Sequence, residues 1–473
     1  MAGDAHLSLF GAPMSKAGDA VAPLLPVELR PSETPSASVP GAVFNLATTT
    51  IGAGIMSLPA AVKVLGVAPA LVLVVAAAFL ADASAEFLMR YRGAGGAWSY
   101  AAAMGDAFGR AGSAALQICV ALTTAGTLTV YLDIIGNLCP FPFFPSPDLL
   151  SCDVLSGSQS EGAAHAGILQ EWFGEQWWTA RVAAQLVAVV IVILPLVLLR
   201  RVDSLKFSSA VSVLLAVVFM CISTGMALYA LFQGRTQKPR LLPDFAHLSS
   251  FLDLFTAVPI IVVAFTFHFN VHPIRAELSE TSDMQVAVRL SVLLCSAIYA
   301  AIGFFGYLLF GEATMTDILS NFDRDTGSAF GSLLNDVVRL SYVLHLVLVF
   351  PLLFFSLRIN VDELLFPKSS HLSSDARRFT LLTTALLGSI YLGSVLIPSI
   401  WTLFQFIGST TAVCISLIFP AALVLRDVEG TAKRKDRLLA RGMILVALIT
   451  SAIAIGSNIV ASFQPREVRG SRR

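Results

Sequence analysis

Eleven apolar segments, each long enough to cross a bilayer, run at roughly 43–62, 67–89, 111–138, 180–200, 207–232, 251–273, 286–310, 333–356, 378–398, 400–425 and 440–461. Hydrocarbon offers no partner to a backbone N–H or C=O, so each span must close its hydrogen bonds internally, as a helix. Segments nine and ten are parted only by Ile397-Pro398-Ser399, the least defined of the boundaries. The composition agrees: 56% of residues are hydrophobic and 13% charged, where soluble domains carry about a quarter charged residues. The expectation is an all-α polytopic membrane protein of 11 transmembrane helices, with the lipid bilayer as its first partner. A formal net charge of zero gives no long-range attraction to nucleic acid.

The connections divide the chain. Residues 1–40 are rich in Ala, Pro and Ser and lack the apolar core of a signal peptide, which reads as a disordered cytosolic tail. Within it, Asp19 before Leu24-Leu25 is one position too distant for an acidic dileucine signal. The long loop 139–179 carries Asp148, Asp153, Glu161, Glu171 and Glu175 with no Lys or Arg. Cys139 and Cys152 lie in or beside it and can pair if it faces an oxidising side. Basic residues gather in the alternate connections, among them Arg90, Arg92, Arg200, Arg201, Lys206, Lys433, Arg434, Lys435 and Arg437. The positive-inside rule then puts the N-terminus in the cytosol and the acidic loop on the other side.

Two spans carry residues that a helix tolerates poorly. The first holds Thr48-Thr49-Thr50 and Gly52-x-Gly54 at its centre, all weak helix formers. Either the helix unwinds there, freeing N–H groups that a carboxylate can satisfy, or the small residues pack closely against a neighbour. The sixth span repeats the oddity, with Pro259 and Pro273 flanking Ala264-Phe265-Thr266-Phe267-His268-Phe269-Asn270. Interrupted helices at matching places of two halves point to a site between the halves. Five helices separate their starts, and an odd number inverts the second half. The expected layout is therefore 41–235 as a first five-helix repeat, 248–426 as a second, and 427–473 as a basic loop, an added eleventh helix and a tail.

The motifs Val43-Phe44-Asn45-Leu46 with Gly52-x-Gly54-Ile55-x-x-Leu58-Pro59, Phe255-Thr256-Ala257-Val258-Pro259-Ile260 with His268-x-Asn270-Val271-His272 before Glu277-Leu278, and His345-Leu346-Val347-Leu348-Val349-Phe350-Pro351 before Leu357-Arg358 occur in that order. Together they resemble the amino acid/auxin permease superfamily, most closely its plant and yeast vacuolar amino acid transporters, and more distantly the sodium-coupled neutral amino acid transporters. The resemblance spans about 410 residues. It implies eleven spans, the LeuT-type 5+5 inverted repeat plus one helix, secondary active transport of amino acids, and a vacuolar, lysosomal or other internal membrane.

An amino acid zwitterion needs donors for its carboxylate and acceptors for its ammonium, and broken helices supply both from backbone. The amides of Gly52, Ala53 and Gly54 are the candidates for the carboxylate. Carbonyls near Phe265 and Thr266 are the candidates for the ammonium, with the hydroxyls of Thr49, Thr50 or Thr266 assisting. Phe265, Phe267 and Phe269 either shape the side-chain pocket or pack against helices. His268 and His345 are ionisable groups within spans, each either functional or a neutral ring bonded to backbone. Asp82 is either a buried proton carrier or part of a charged membrane edge with Glu86, which stands four residues before Arg90.

In the sodium-coupled relatives the resemblance places a sodium site between the position of Asn45 and threonines before the proline of segment eight. Here Val347 and Val349 stand before Pro351, and valine offers a hard cation no side-chain oxygen. The expectation is transport of small or neutral amino acids by alternating access, coupled to protons, with Asn45, Asp82, His268 and His345 as the ion-coupling candidates. Asn45 would remain as a helix-to-helix hydrogen bond. The rival reading is a sensor that binds amino acid in the same cleft without transporting it. No clustered nucleophile and base, no H-E-x-x-H and no phosphate-binding loop are present, so an enzyme is not expected. Nor is a cofactor or metal.

Overall fold

The computed structural model describes residues 38–91, 99–137, 181–198, 205–243, 248–278, 281–323, 329–367, 369, 372–397, 400–427 and 430–463. The readings of the N-terminal tail, the acidic loop, the Cys139 and Cys152 pair and the C-terminal tail lie outside these residues. What is described is helical, and the helices are α1 (Val39–Thr50), α2 (Leu58–Leu65), α3 (Val67–Arg90), α4 (Tyr100–Asn137), α5 (Gln185–Val197), α6 (Leu205–Phe232), α7 (Leu248–Ala264), α8 (Val271–Ala276), α9 (Thr281–Phe310), α10 (Ala329–Leu365), α11 (Ala376–Leu396), α12 (Ile400–Arg426) and α13 (Arg434–Phe463).

Among the described residues nine helices are long and apolar enough to cross a bilayer, and α1 with α2 makes a tenth, bent by 51°. The expected count of 11 is not reached, because the fourth expected segment is described only as α5, shorter than a span, with 138–180 and 199–204 on either side undescribed. The third span also begins earlier than hydropathy suggested. Residues 100–108 form a helical piece of their own, and Gly109, at φ 69°, turns the chain before the expected start. Only glycine adopts that φ without strain.

Local chemistry sets the helix ends. Ser38 caps α1 by accepting the Gly41 amide at 3.4 Å, and Asp375 caps α11 through the Arg378 amide at 3.0 Å. Gly66, at φ 78°, turns α2 into α3, and a Cβ there would lie 2.7 Å from the Leu242 carbonyl carbon. The orphan amides that open α3 are met by an extended segment, Val67 by Arg240 O and Ala68 by Leu241 O, both at 3.0 Å.

Burial separates the inner helices from the outer ones. In their most apolar windows α7 with α8, α10 and α12 are each 72% buried, whereas α13 is 22% buried. The inner helices enclose the two breaks, and α13 packs from outside against α7 and the end of α12. The face that carries Val39 is called the near face below, and the one that carries Leu65 the far face.

Candidate functional site

The first break follows from the sequence that was expected to make it. α1 ends at Thr50, Ile51 and Gly52 are extended, and a short tight helix, Ala53–Ser57, leads into α2. Three carbonyls at this break take hydrogens from the side chains of neighbouring helices. Thr50 O accepts from Tyr299 Oη at 2.5 Å, Ile51 O from His345 Nε2 at 2.9 Å, and Gly52 O from Tyr342 Oη at 2.7 Å. All three side chains are buried.

The second break lies between α7 and α8, at Phe265–Asn270. It closes most bonds on itself: the Phe265 amide reaches Ile261 O and Val262 O, Thr266 reaches Val263 O, and Asn270 reaches Phe267 O. Ala264 O alone takes an outside donor among the bonds described, from Tyr299 Oη at 2.8 Å. Tyr299 therefore spans both breaks.

Between the breaks lies a small cavity lined by Thr49, Thr50, Gly52, Ala53 and Gly54 from the first break, Val263, Ala264, Thr266 and Phe269 from the second, and Thr123, Thr124, Thr127 and Tyr131 from α4. About 20 Å³ of it admits a water centre, enough for one water and too little for an amino acid. No charged side chain borders it. Six threonines do, and each spends its hydroxyl hydrogen within the protein. Thr49, Thr50, Thr124, Thr127 and Thr266 donate to the carbonyl four residues back, and Thr123 donates to Thr411. Their oxygens are left as acceptors.

The sequence reading missed α4. Its contribution is a hydroxyl face at 123, 124, 127 and 131, a spacing that a helical period could have revealed. Tyr131 Oη is buried beside the Ala53 amide yet makes no well-formed hydrogen bond. The glycines are needed by contact: a Cβ on Gly52 would lie 2.2 Å from Tyr131 Oη, and one on Gly54 3.2 Å from Ala264 Cα. Both earlier readings of Gly-x-Gly thus meet here, since the helix does break and Gly54 also lets the two breaks touch.

Phe265 and His268 do not border the cavity. Phe265 packs edge-on against Tyr299 at 5.1 Å. His268 turns to α3, with Nε2 2.5 Å from Ser84 Oγ, while Ser84 gives its hydrogen to Ala81 O. That network assigns the ring hydrogen to Nε2, and Nδ1 has no partner, the pattern of a neutral imidazole. His345 differs. Its Nε2 faces Ile51 O and its Nδ1 lies 2.7 Å from Ser212 O, with Ser212 Oγ at 3.0 Å. A neutral ring with its hydrogen on Nε2 donates to Ile51 O and accepts at Nδ1 from Ser212 Oγ, so both nitrogens are used.

Asp82 stands away from the cavity, in a charged group on the near face. It shares Arg289 with Glu86 at 3.8 and 3.7 Å, Glu86 also pairs with Arg90, and Arg90 reaches Asp436 at 3.1 Å. Asn45 is buried, but its Oδ1 has no hydrogen-bond partner, so the bond between helices expected of it is not made through that oxygen. α1 is instead stitched to α6 by Thr48 Oγ1 to Ser209 O at 3.0 Å. Among the described residues no group of three or more His, Cys, Asp or Glu side chains could hold a metal.

On the near side of the cavity a chain of hydrogen bonds joins three helices. Asn270 Nδ2 donates to Thr49 Oγ1 at 3.0 Å, and Ser356 Oγ donates to Asn270 Oδ1 at 2.5 Å. On the far side Lys63, near the end of α2, gives hydrogens to Glu312 O at 2.6 Å and Thr314 O at 3.3 Å, and Arg240 pairs with the Glu312 carboxylate at 3.0 Å.

Two broken helices thus meet at a cavity that backbone and hydroxyl groups line, with no charged side chain among the described lining residues. The family described as transmembrane amino acid transporter protein matches residues 35–464. The chain belongs to that family. Among its relatives, amino acid transporter AVT6C of Arabidopsis thaliana is 50% identical over 443 residues, 92% of this chain and 98% of the relative. Amino acid transporter AVT6A of the same plant is 47% identical, covering 95% and 96%. A sodium-coupled neutral amino acid symporter 2 of Danio rerio is 25% identical over 439 residues, 87% and 80% of the two chains. The crystal structure of MhsT in complex with L-phenylalanine shares the fold, with a TM-score of 0.53 at 16% identity, covering 90% of this chain and all of that one. Membership makes this a multi-pass amino acid transporter and not an enzyme.

Proposed function

We propose that the protein is a secondary active transporter of small neutral amino acids, coupled to protons and working by alternating access between two inverted five-helix halves. The observation that carries this reading is the cavity between the breaks, with its mobile-proton-free threonine oxygens, its backbone amides and its lack of charged lining. The substrate carboxylate goes to the amides of Gly52, Ala53 and Gly54, assisted by Tyr131 Oη, the one lining hydroxyl with an unspent hydrogen bond. The ammonium goes to the oxygens of Thr49, Thr50 and Thr266 and to the backbone at Phe265 and Thr266. An uncharged substrate side chain suits a pocket that holds no counter-ion, because an unpaired charge there would be desolvated at a cost of several kcal/mol. The cavity is smaller than any amino acid, which fits a closed state from which the helices part to admit substrate. The near-side chain through Thr49, Asn270 and Ser356 and the far-side group at Lys63, Glu312 and Arg240 then serve as the two gates.

For the coupling proton, geometry favours His345 over His268 and Asp82. His345 joins Ile51 of the first break to Ser212 of α6, so a proton taken up at Nδ1 exchanges the bond accepted from Ser212 Oγ for one donated to Ser212 O, on the scaffold that holds the break. His268 acts as a neutral support for α3. An internal, vacuolar or lysosomal membrane is the location that the sequence motifs' resemblance to plant and yeast vacuolar amino acid transporters implies.

The test is uptake of labelled neutral amino acids by the purified protein in liposomes, with pH and sodium gradients applied separately. Uptake driven by the pH gradient is expected. Uptake that follows sodium and ignores pH overturns the coupling, and saturable binding without uptake favours the sensor.

A further inference from the structure

On the far face, the connection after α9 contains a short tight helix, Ile318–Asp323, which packs on α10 and on Ala53–Ser57, the segment just past the first break. Asp317 stands at its start, outside the membrane spans. Its Oδ1 accepts the Leu319 amide at 3.0 Å, an ordinary capping bond. Its Oδ2 is different: it is buried and has no hydrogen-bond partner, in a residue only 6% exposed. A capping role needs one oxygen in place and explains nothing about a second one kept from water. As an anion this oxygen is poorly tolerated, and a single proton removes the charge.

The charged and titratable groups around Asp317 come from α10, from α9 with the turn after it, and from α2. α10 brings the Arg339 guanidinium and the Tyr342 phenol. α9, against which Ile318 packs at Gly306, brings Tyr307, and the helical turn after it brings Glu312, the two bonded to each other at 2.9 Å. Lys63 of α2 is held by Glu312 O and Thr314 O. α6 meets this helix with Phe219 against Phe322, and Ala53–Ser57 has no titratable residue. Burial pushes the Asp317 carboxyl up to about 6, against the pull of the Leu319 amide and of Arg339. Tyr342 also donates to Gly52 O, which links the surroundings of Asp317 to the break.

We propose that Asp317 is a proton-binding site whose protonation closes the far-face connection over the first helix break. When the connection lifts, Asp317 meets water and its pKa returns to the ordinary value of about 3.9. The closed form therefore holds the proton more tightly, and acid favours closure. Between about pH 7 and pH 5 the ratio of closed to open form rises about tenfold by this linkage. Its transport consequence rests on the reading given above: an acidic compartment on the far side would shut that side behind a loaded site and commit release to the near face.

The test reads closure directly and needs no transport. Ser57, buried on the segment under Ile318–Asp323, is replaced by cysteine in a full-length chain whose six native cysteines are alanine. Its reactivity with a membrane-impermeant thiol reagent is followed from pH 5 to pH 7 in liposomes. The same chain with Asp317→Asn, which mimics the protonated group, supplies the reference for the thiol's own pH dependence. The reactivity ratio of the Asp317 chain to the Asn chain is expected to rise about tenfold, with a midpoint near pH 6. A flat ratio overturns the proposal. If the Asn chain does not fold, the infrared carbonyl band of a protonated carboxyl decides instead in the unaltered protein: a band titrating near pH 6 supports the site, and none above pH 5 overturns it. Absent uptake of every amino acid would refute the transport reading while leaving this titration intact.

Discussion

At the first break the carbonyls of Thr50, Ile51 and Gly52 take hydrogens from Tyr299, His345 and Tyr342, side chains of α9 and α10. The second break instead closes most of its bonds within its own stretch of chain, with Tyr299 the shared outside donor. A break held from outside changes shape when its holders move, and one that satisfies itself keeps its shape. The first break is thus the part of the site that other helices can control, and the second is closer to a fixed wall. Titratable groups follow the same division. His345 bonds the first break, and Asp317 stands in the connection that packs against the segment just past it. His268, next to the second, has its ring bonded away from the cavity, toward α3.

The largest expected effect separates the glycines of the first break from everything else. Gly52→Val and Gly54→Val should each weaken substrate binding by up to about a hundredfold, since overpacking a close contact costs roughly 1–3 kcal/mol. Equilibrium binding to purified, monodisperse protein checks this. Gly52→Ala combined with Tyr131→Phe should recover part of the loss, because the obstructing atom is Tyr131 Oη. Unchanged affinity in both valine chains would mean that the substrate does not use this backbone.

Removing the shared donor comes next. Tyr299→Phe leaves Thr50 O and Ala264 O without it, and an unsatisfied buried carbonyl costs about 1–3 kcal/mol. A lower melting temperature and an affinity weaker by roughly tenfold are expected. Tyr342→Phe should do less, because Gly52 O also accepts the Ile55 amide at 3.1 Å. Equal effects would erase the distinction between shared and single donors.

The histidines sharpen the comparison further. His345→Gln should abolish uptake driven by a pH gradient while amino acid exchange at equal pH survives. His268→Gln should keep driven uptake within about threefold of the unaltered chain, a change on the order of half a kcal/mol. The reverse pattern would transfer proton coupling to the second break.

The smallest effect belongs to Thr266→Val. Its hydroxyl bonds Val262 O of its own helix, and replacing a self-bonded threonine by an isostere should raise KM by about twofold to fivefold, the worth of one weak acceptor. A loss as large as that of Gly52→Val would show the second break to be an equal partner in binding.

Much of this was legible because the bilayer restricts what a chain can do. Apolar length marked the spans, and threonine with Gly-x-Gly, and proline with His and Asn, marked the breaks at Thr50–Gly54 and Phe265–Asn270, since both reflect backbone preferences local to the chain. The fourth span is not confirmed at full length, and Gly109 hid a separate helical start that hydropathy does not register. Which histidine faces backbone acceptors was not legible. His268 and His345 look alike in sequence, and only Ser84 on one side and Ile51 with Ser212 on the other tell them apart.

By itself, then, the sequence determined a helical membrane protein with two interrupted spans, because hydrogen-bond demand in hydrocarbon is settled residue by residue. Tertiary structure decided what touches the breaks: the hydroxyl face of α4, the tyrosines that hold the loose carbonyls, and the buried oxygen of Asp317. Those depend on contacts between residues as far apart as Gly52 and Tyr342, and no local period or spacing records which side chains distant helices bring together.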